Sequence, residues 1–320
     1  MRATYIAILA AATLLWGCQT MSVEEAKKVT TSFQGTAFVP PPRTITDIVK
    51  VLEHTKPDEK VIAEARAKAD AKPPATNEPG QLADFYYTRA RAAQELGRTR
   101  QELDDFRQAW EYAQRGTGQI RYHVIGFQLG FSEIFGGNLP AASGTLRTAL
   151  GAVPTDDAGW RFSFRAMLTR LYVAGGDFAA AEAEIAEYQR LLPETRSWQR
   201  QRSEWIAGRR ASLADIQGRL AEGRGRLTEA EAFYRDAIAE HEADAVLVKD
   251  IPIDITRARL VNVLVKQGRL IEAEHQARVG VLSVLRKRGR YAPVAANNIR
   301  VLATVLLAQG RYTEAETILR

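Results

Sequence analysis

From residue 82 to residue 320 the apolar positions recur at the three- and four-residue intervals that line one face of a helix, and glycines cut the pattern at near-regular steps. The cuts resemble one another. Gly225-Arg226-Leu227-Thr228-Glu229-Ala230-Glu231, Gly268-Arg269-Leu270-Ile271-Glu272-Ala273-Glu274 and Gly310-Arg311-Tyr312-Thr313-Glu314-Ala315-Glu316 share glycine, arginine and Glu-Ala-Glu in one register. Aligned on the turn glycine, Gly97, Gly137, Gly176, Gly225, Gly268 and Gly310 mark six units, spaced 40, 39, 49, 43 and 42 residues apart. A repeat of this period is the signature of a solenoid. Each unit predicts an amphipathic helix, a tight turn and a second amphipathic helix. Glycine is required at the turn because the first helix must end in a left-handed residue for the chain to reverse at once. Thr228 with Glu231, and Thr313 with Glu316, predict capping boxes that open the second helix. Ala230, Ala273 and Ala315 are small, which lets the paired helices approach closely. In the long interval between Gly176 and Gly225, Pro193 is the last breaker before Gly208, so the extra residues are expected to lengthen the helices around Glu194 to Arg210.

Upstream of the repeats the pattern is different. Met1-Arg2 is followed by an apolar run from Tyr5 to Leu15 and then Trp16-Gly17-Cys18. A short basic start and an apolar core too short to span a bilayer comfortably predict a signal peptide over residues 1–17. Residues 18–43 are polar and end in Pro40-Pro41-Pro42, which predicts an extended tether. Residues 44–81 predict two short helices, Thr46 to His54 (with Thr46 as its cap) and Asp58 to Ala71, followed by a proline-rich linker. The helix pair is expected to cap the solenoid.

Two resemblances follow from these residues. Leu15-Trp16-Gly17-Cys18 resembles the bacterial lipobox, with Leu15, Gly17 and Cys18 matching and Trp16 bulkier than the usual residue. That implies a palmitate-type acyl anchor on Cys18 and loss of residues 1–17. With Gln19 rather than Asp next, it also implies an outer-membrane lipoprotein facing the periplasm. Residues 82–320 resemble a tetratricopeptide (TPR) array. Leu129-Gly130, Ala142, Leu146 and Pro154 fit its pattern in the second unit; Leu168, Tyr172, Ala181, Ile185 and Pro193 in the third; and Gly218, Ala230 and Tyr234 in the fourth. The first unit departs, with Glu102 at the small position and Leu103 beside it to take over the packing. The 42-residue period of the last units is similar to the kinesin-light-chain variety. The resemblance implies an all-α, right-handed superhelical solenoid of antiparallel helix pairs, the sixth broken off within its second helix.

Composition adds constraints. With 46% hydrophobic and 26% charged residues, the chain can bury a large core. Its formal net charge of +6 comes from arginine spread along the helices, which fits either a solvated face or an acidic partner. One cysteine excludes an intrachain disulfide, and its place at the lipobox leaves no cysteine nucleophile. His54, His123, His241 and His275 stand far apart and suit surface or groove positions better than metal ligation. His241-Glu242 has no second histidine four residues after the first, so it is not a zinc-protease helix. Gly223-Arg224-Gly225 lacks the third glycine of a dinucleotide loop. Each Glu-Ala-Glu points its carboxylates apart and lies where negative charge complements a helix dipole. The basic clusters Arg196 to Arg210, with Trp198 and Trp205, and Arg286 to Arg290 read as packing and solvated surface. No cofactor, metal or nucleic acid is expected.

The function expected is an envelope-anchored scaffold that holds a protein or peptide segment in its concave groove, without catalysis. The alternative is the recognition half of a longer enzyme, because the leader and long-period repeats resemble TPR proteins that carry a C-terminal CHAT peptidase domain. Counting back from the turn glycines by a common offset places one stripe of each first helix in the groove. It carries Tyr87, Arg91 and Gln94, then Phe127 and Phe131, then Arg170, then Asp215 and Arg219, then Asn262, and finally Arg300 and Thr304. Recurring arginine predicts a positive floor suited to carboxylates or peptide carbonyls, unless those arginines pair with acids on adjacent first helices.

Overall fold

The computed structural model describes residues 41–42, 44–54, 59–194, 203–243, 252–288 and 293–320. Cys18, the lipobox, most of the tether and Trp198 lie outside them, as do the side chains of Trp205 and of residues 287–290. Fourteen helices are found among the described residues. Two precede the repeats, α1 (Thr46–His54) and α2 (Glu59–Ala69). Six pairs follow: α3 (Pro79–Glu95) with α4 (Thr99–Ala113), α5 (Tyr122–Phe135) with α6 (Leu139–Gly151), and α7 (Ala158–Ala174) with α8 (Phe178–Glu194). Then come α9 (Ser203–Gly223) with α10 (Leu227–Glu242), α11 (Pro252–Lys266) with α12 (Leu270–Arg288), and α13 (Pro293–Ala308) with α14 (Tyr312–Leu319).

One turn is used six times. All six glycines are left-handed, with φ between 68° and 78°. The next residue's amide bonds back across each turn at 2.9 Å: Arg98 to Ala93, Asn138 to Glu133, Asp177 to Tyr172, Arg226 to Ala221, Arg269 to Leu264, and Arg311 to Leu306. That is the 6→1 bond of a Schellman motif, and only glycine takes the required φ without strain. The expected capping boxes do not form. The residue that closes the turn is already the N-cap of the next helix, Arg226 for α10 and Arg311 for α14, and neither makes a side-chain cap bond. Thr228 and Thr313 therefore fall inside the first helical turn. At the same position in the second unit, Asn138 accepts the Ala141 amide (3.4 Å). Asp177 does the same for Ala180 (3.0 Å). The arginines there reach sideways instead: Arg269 to Glu231 (2.6 Å) and Arg311 to Glu274 (2.8 Å), each a glutamate of the preceding unit.

The pairs close tightly. Ala230, Ala273 and Ala315 are buried. A Cβ on Gly130 would lie 2.5 Å from Leu146, and one on Gly218 would lie 2.6 Å from Tyr234. In the first unit Glu102 keeps the inner position, accepting from Gln94 Nε2 (2.8 Å) and Ser132 Oγ (2.6 Å). Leu103 packs beside it with Ala90, Phe106 and Leu129. First helices of successive units pack together, α5 to α7 to α9 to α11 to α13, and no two second helices bring their backbones as close among the described residues, although Arg235 of α10 reaches Glu272 of α12. The first helices therefore line the inside of the curve. α9 is the longest helix at 21 residues, and residues 195–202 before it lie outside the described part. His123, His241 and His275 are buried rather than at the surface.

The helices before the repeats do not stay together as a cap. α2 packs on α3, whereas α1 packs on α12 and α14, at the other end of the solenoid. Ile45, Ile48 and Leu52 join the core of the last units. Asp47 faces Arg278 across 231 positions of sequence, at 2.6 and 2.8 Å, with both side chains fully buried. Arg278 also donates to Glu274 (3.0 Å) and to the Thr44 carbonyl (2.7 Å), and the Ile45 amide donates to Glu314 (2.9 Å). Removing one member of a buried ion pair costs roughly 3–5 kcal/mol. Asp47→Ala is expected to lose stability of that order and to raise amide hydrogen exchange in α12 and α14, leaving α3 to α8 unchanged. Unaltered exchange at residues 312–319 would show that α1 does not hold this end.

Candidate functional site on the groove floor

The stripe residues divide into three groups along the groove. At the first end Tyr87 is half-buried, with its ring edge-on to Phe106 at 5.8 Å. Burial pushes its hydroxyl pKa up, against the field of Arg91. Arg91 donates to Gln94 Oε1 (2.6 Å) and reaches Gln128 Oε1 (3.5 Å), so three side chains from α3 and α5 form a polar patch. Next comes an aromatic stretch. Phe127 stands edge-on to Trp160 (5.4 Å) and Phe164 (5.2 Å), which makes it part of the wall between α5 and α7. Phe131 leans on Phe135 (4.7 Å), which is 77% exposed. At the far end Arg300 donates to Asn297 (3.0 Å), Thr304 donates to the Arg300 carbonyl (3.0 Å), and both residues are exposed. Asn262 is half-buried on α11.

The structure draws Arg170, Asp215 and Arg219 into one cluster in the middle. Asp215 and Arg219 lie four residues apart on α9 and so share a face. Asp215 Oδ2 accepts from Arg219 Nε (2.8 Å) and from Arg170 Nη2 (3.2 Å), and its Oδ1 accepts from Thr256 Oγ1 (2.9 Å). One carboxylate thus ties α7, α9 and α11. Burial opposes its charge, but the guanidiniums of Arg219 and Arg170 win and hold it well below the usual carboxylate range. Beside it Glu222 accepts from Tyr234 Oη (2.8 Å) and Lys266 Nζ (2.7 Å), with Arg259 Nη1 at 3.9 Å. Arg170 and Arg259 both have lowered pKa values, first from burial and then from the like charge of Arg219.

The cluster answers the question left by the stripe. Arg170 and Arg219 do pair with an acid of the first helices, but both with the same one. Arg219 is a buried structural group, with a side chain 9% exposed, whereas Arg170 keeps 29% and Arg259 42%. Thr256, Arg259, Glu222 and Lys266 were not in the stripe. They lie on neighbouring turns of α9 and α11, and a floor drawn one turn wider on each first helix would have included all but Thr256, which lies about two turns from Asn262. Among the described residues no group of three or more His, Cys, Asp or Glu side chains is placed to hold a metal, and no helix is long and apolar enough to cross a membrane.

Stacked antiparallel helix pairs with their first helices inside, closed by a repeated left-handed glycine, define a solenoid of the tetratricopeptide class. More particularly, the chain belongs to the MalT-like TPR family, whose region matches residues 129–320. No curated protein matches the chain. Among solved structures it is similar to NprR in complex with its cognate peptide NprX, at 13% identity and a TM-score of 0.56, covering 98% of this chain and 85% of that one. It is also similar to a Rap protein complexed with competence and sporulation factor, at 13% identity and a TM-score of 0.51, covering 92% and 75%.

The Asp215 link has a sign that can be checked. A carboxylate whose folded pKa is depressed contributes stability above its unfolded pKa, 3.8 here, and loses it as pH falls through the folded value. Asp215→Asn is therefore expected to cost roughly 3–5 kcal/mol at neutral pH and to flatten the acid limb of stability below pH 3.8. Urea unfolding across that range reads both effects. An unchanged acid limb would mean that other carboxylates set it.

Proposed function

We propose that this protein is an envelope-anchored scaffold that holds an extended protein or peptide segment along its groove. The carrying observation is the floor itself: polar groups at α3 and α5, aromatic rings at α5 and α7, and partly exposed guanidiniums at α7 and α11 along one concave face. An extended segment presents carbonyls, side chains and carboxylates in sequence, and such a floor meets each with a matching group. The two solved neighbours carry a cognate peptide and a competence and sporulation factor, which supports the same use of this fold. The role is binding, with no catalytic step assigned to it.

Panning a random peptide library against the full chain tests the reading. Enriched peptides are expected to lose at least about tenfold in affinity on Arg91→Ala or Phe131→Ala, the scale of a lost anchor side chain. They are expected to bind Glu240→Ala, on a second helix, as tightly as the wild type. Enrichment that ignores both groove variants, or none at all, removes the groove from consideration.

The anchoring half of the proposal rests on Leu15-Trp16-Gly17-Cys18. Acylation of Cys18 fixes the chain to the outer membrane facing the periplasm, with residues 18–43 as its tether. Membrane fractionation of Cys18→Ala is expected to release the protein into the soluble fraction. A variant that still sediments with membranes as the wild type does would refute the lipid anchor.

A further inference from the structure

We propose that the groove floor at α7, α9 and α11 is a carboxylate subsite, in which Arg170 and Arg259 take a carboxylate of the bound segment and Asp215, Arg219 and Thr256 hold the site in shape. This rests on the scaffold reading and names the ligand chemistry that the reading leaves open. The first support is a surplus of donors. A guanidinium offers five N–H groups in a fixed fork. Here Arg170 makes one hydrogen bond, to Asp215, and Arg219 makes one, to the same oxygen. Arg259 has its nearest carboxylate oxygen 3.9 Å away, beyond hydrogen-bond distance.

The acceptors are correspondingly spent. Asp215 is engaged at both oxygens, by Arg170 and Arg219 on one and Thr256 on the other. Glu222 is engaged at both by Tyr234 and Lys266. Within this set four cationic side chains face two carboxylates. Burial and the like charge of Arg219 both lower the pKa values of Arg170 and Arg259, so an incoming anion would favour their charged forms. The two arginines that retain exposure are also the two held less closely, Arg170 by one 3.2 Å bond to Asp215 and Arg259 by none, whereas the buried Arg219 is fixed on Asp215 at 2.8 Å. That division suits a site whose inner members orient its outer ones. A carboxylate fits the fork with two parallel bonds, and a peptide supplies one at its C-terminus or on Asp or Glu.

The test watches the arginines directly. In the full chain with 15N-labelled arginine, the Nε–Hε signals of Arg170 and Arg259, assigned with Arg170→Lys and Arg259→Lys, are followed during titration with acetate. Acetamide and chloride at matched ionic strength are the controls, and phosphate is a third anion. Both signals are expected to shift saturably with acetate and to ignore acetamide and chloride. No shift, or a shift with phosphate but not acetate, overturns the carboxylate assignment. For peptides obtained by panning, C-terminal amidation or Asp/Glu→Asn/Gln replacement is expected to weaken binding at least about tenfold, the scale of one charge-assisted hydrogen bond. Arg170→Lys, which keeps the charge and loses the fork, is expected to do the same. Peptides that bind but ignore all three changes sink the subsite and leave the scaffold standing. An acetate response without any peptide captured does the reverse.

Discussion

The whole architecture hangs on one backbone constraint, the left-handed residue that ends each first helix. Because the bond from the following residue to the carbonyl five positions back closes at 2.9 Å in all six units, the second helix always leaves at the same angle. A fixed angle brings the same faces together each time. It sets Leu146 against Gly130 and Tyr234 against Gly218, where even a methyl group would collide. Pairs of one shape then stack with one rotation, and a repeated rotation produces a concave side made of first helices. Any residue other than glycine at Gly225 or Gly268 would have to adopt a φ that L side chains rarely take, and the error would propagate to every later unit.

This explains why the repeats were readable and their details less so. A positive φ leaves a glycine in the sequence, and a close approach leaves Ala230 or Gly130, so turns and pair interfaces are written in residue type. Caps are not. Thr228 and Glu231 match a capping box, but the turn had already assigned the N-cap to Arg226, and a motif three residues long cannot show which residue the preceding helix has used. The place of α1 was equally hidden. Ile48 and Leu52 announce an apolar face without saying which end of a solenoid it covers, because contacts over 231 positions leave no periodic trace. The buried histidines have the same cause: helical position alone does not reveal which neighbouring unit lies over them.

The floor was half legible for a related reason. A common offset from the glycines finds residues on one stripe, and it placed Arg170, Asp215 and Arg219 together. It cannot distinguish an arginine that points into the groove from one folded under its own carboxylate. Arg219, four residues after Asp215 on the same helix, satisfies that carboxylate from within, and so belongs to the scaffold of the site rather than its surface. The residues that complete the surface, Arg259 and Lys266, come from a different turn of α11.

Two arginine sites make the distinction general. Arg278, fully buried, spends its fork completely: on both oxygens of Asp47, on Glu274 and on the carbonyls of Thr44 and Pro42. Nothing is left over, and the result is a joint between α1 and the last units. Arg170 and Arg259 stand in the same fold with the same chemistry and use almost none of theirs. An unpaired donor in a partly desolvated groove is costly to keep, and a purely structural role offers nothing to offset that cost. The spent fork of Arg278 makes a joint between α1 and the last units, whereas the unspent donors of Arg170 and Arg259 are what the proposed carboxylate would meet.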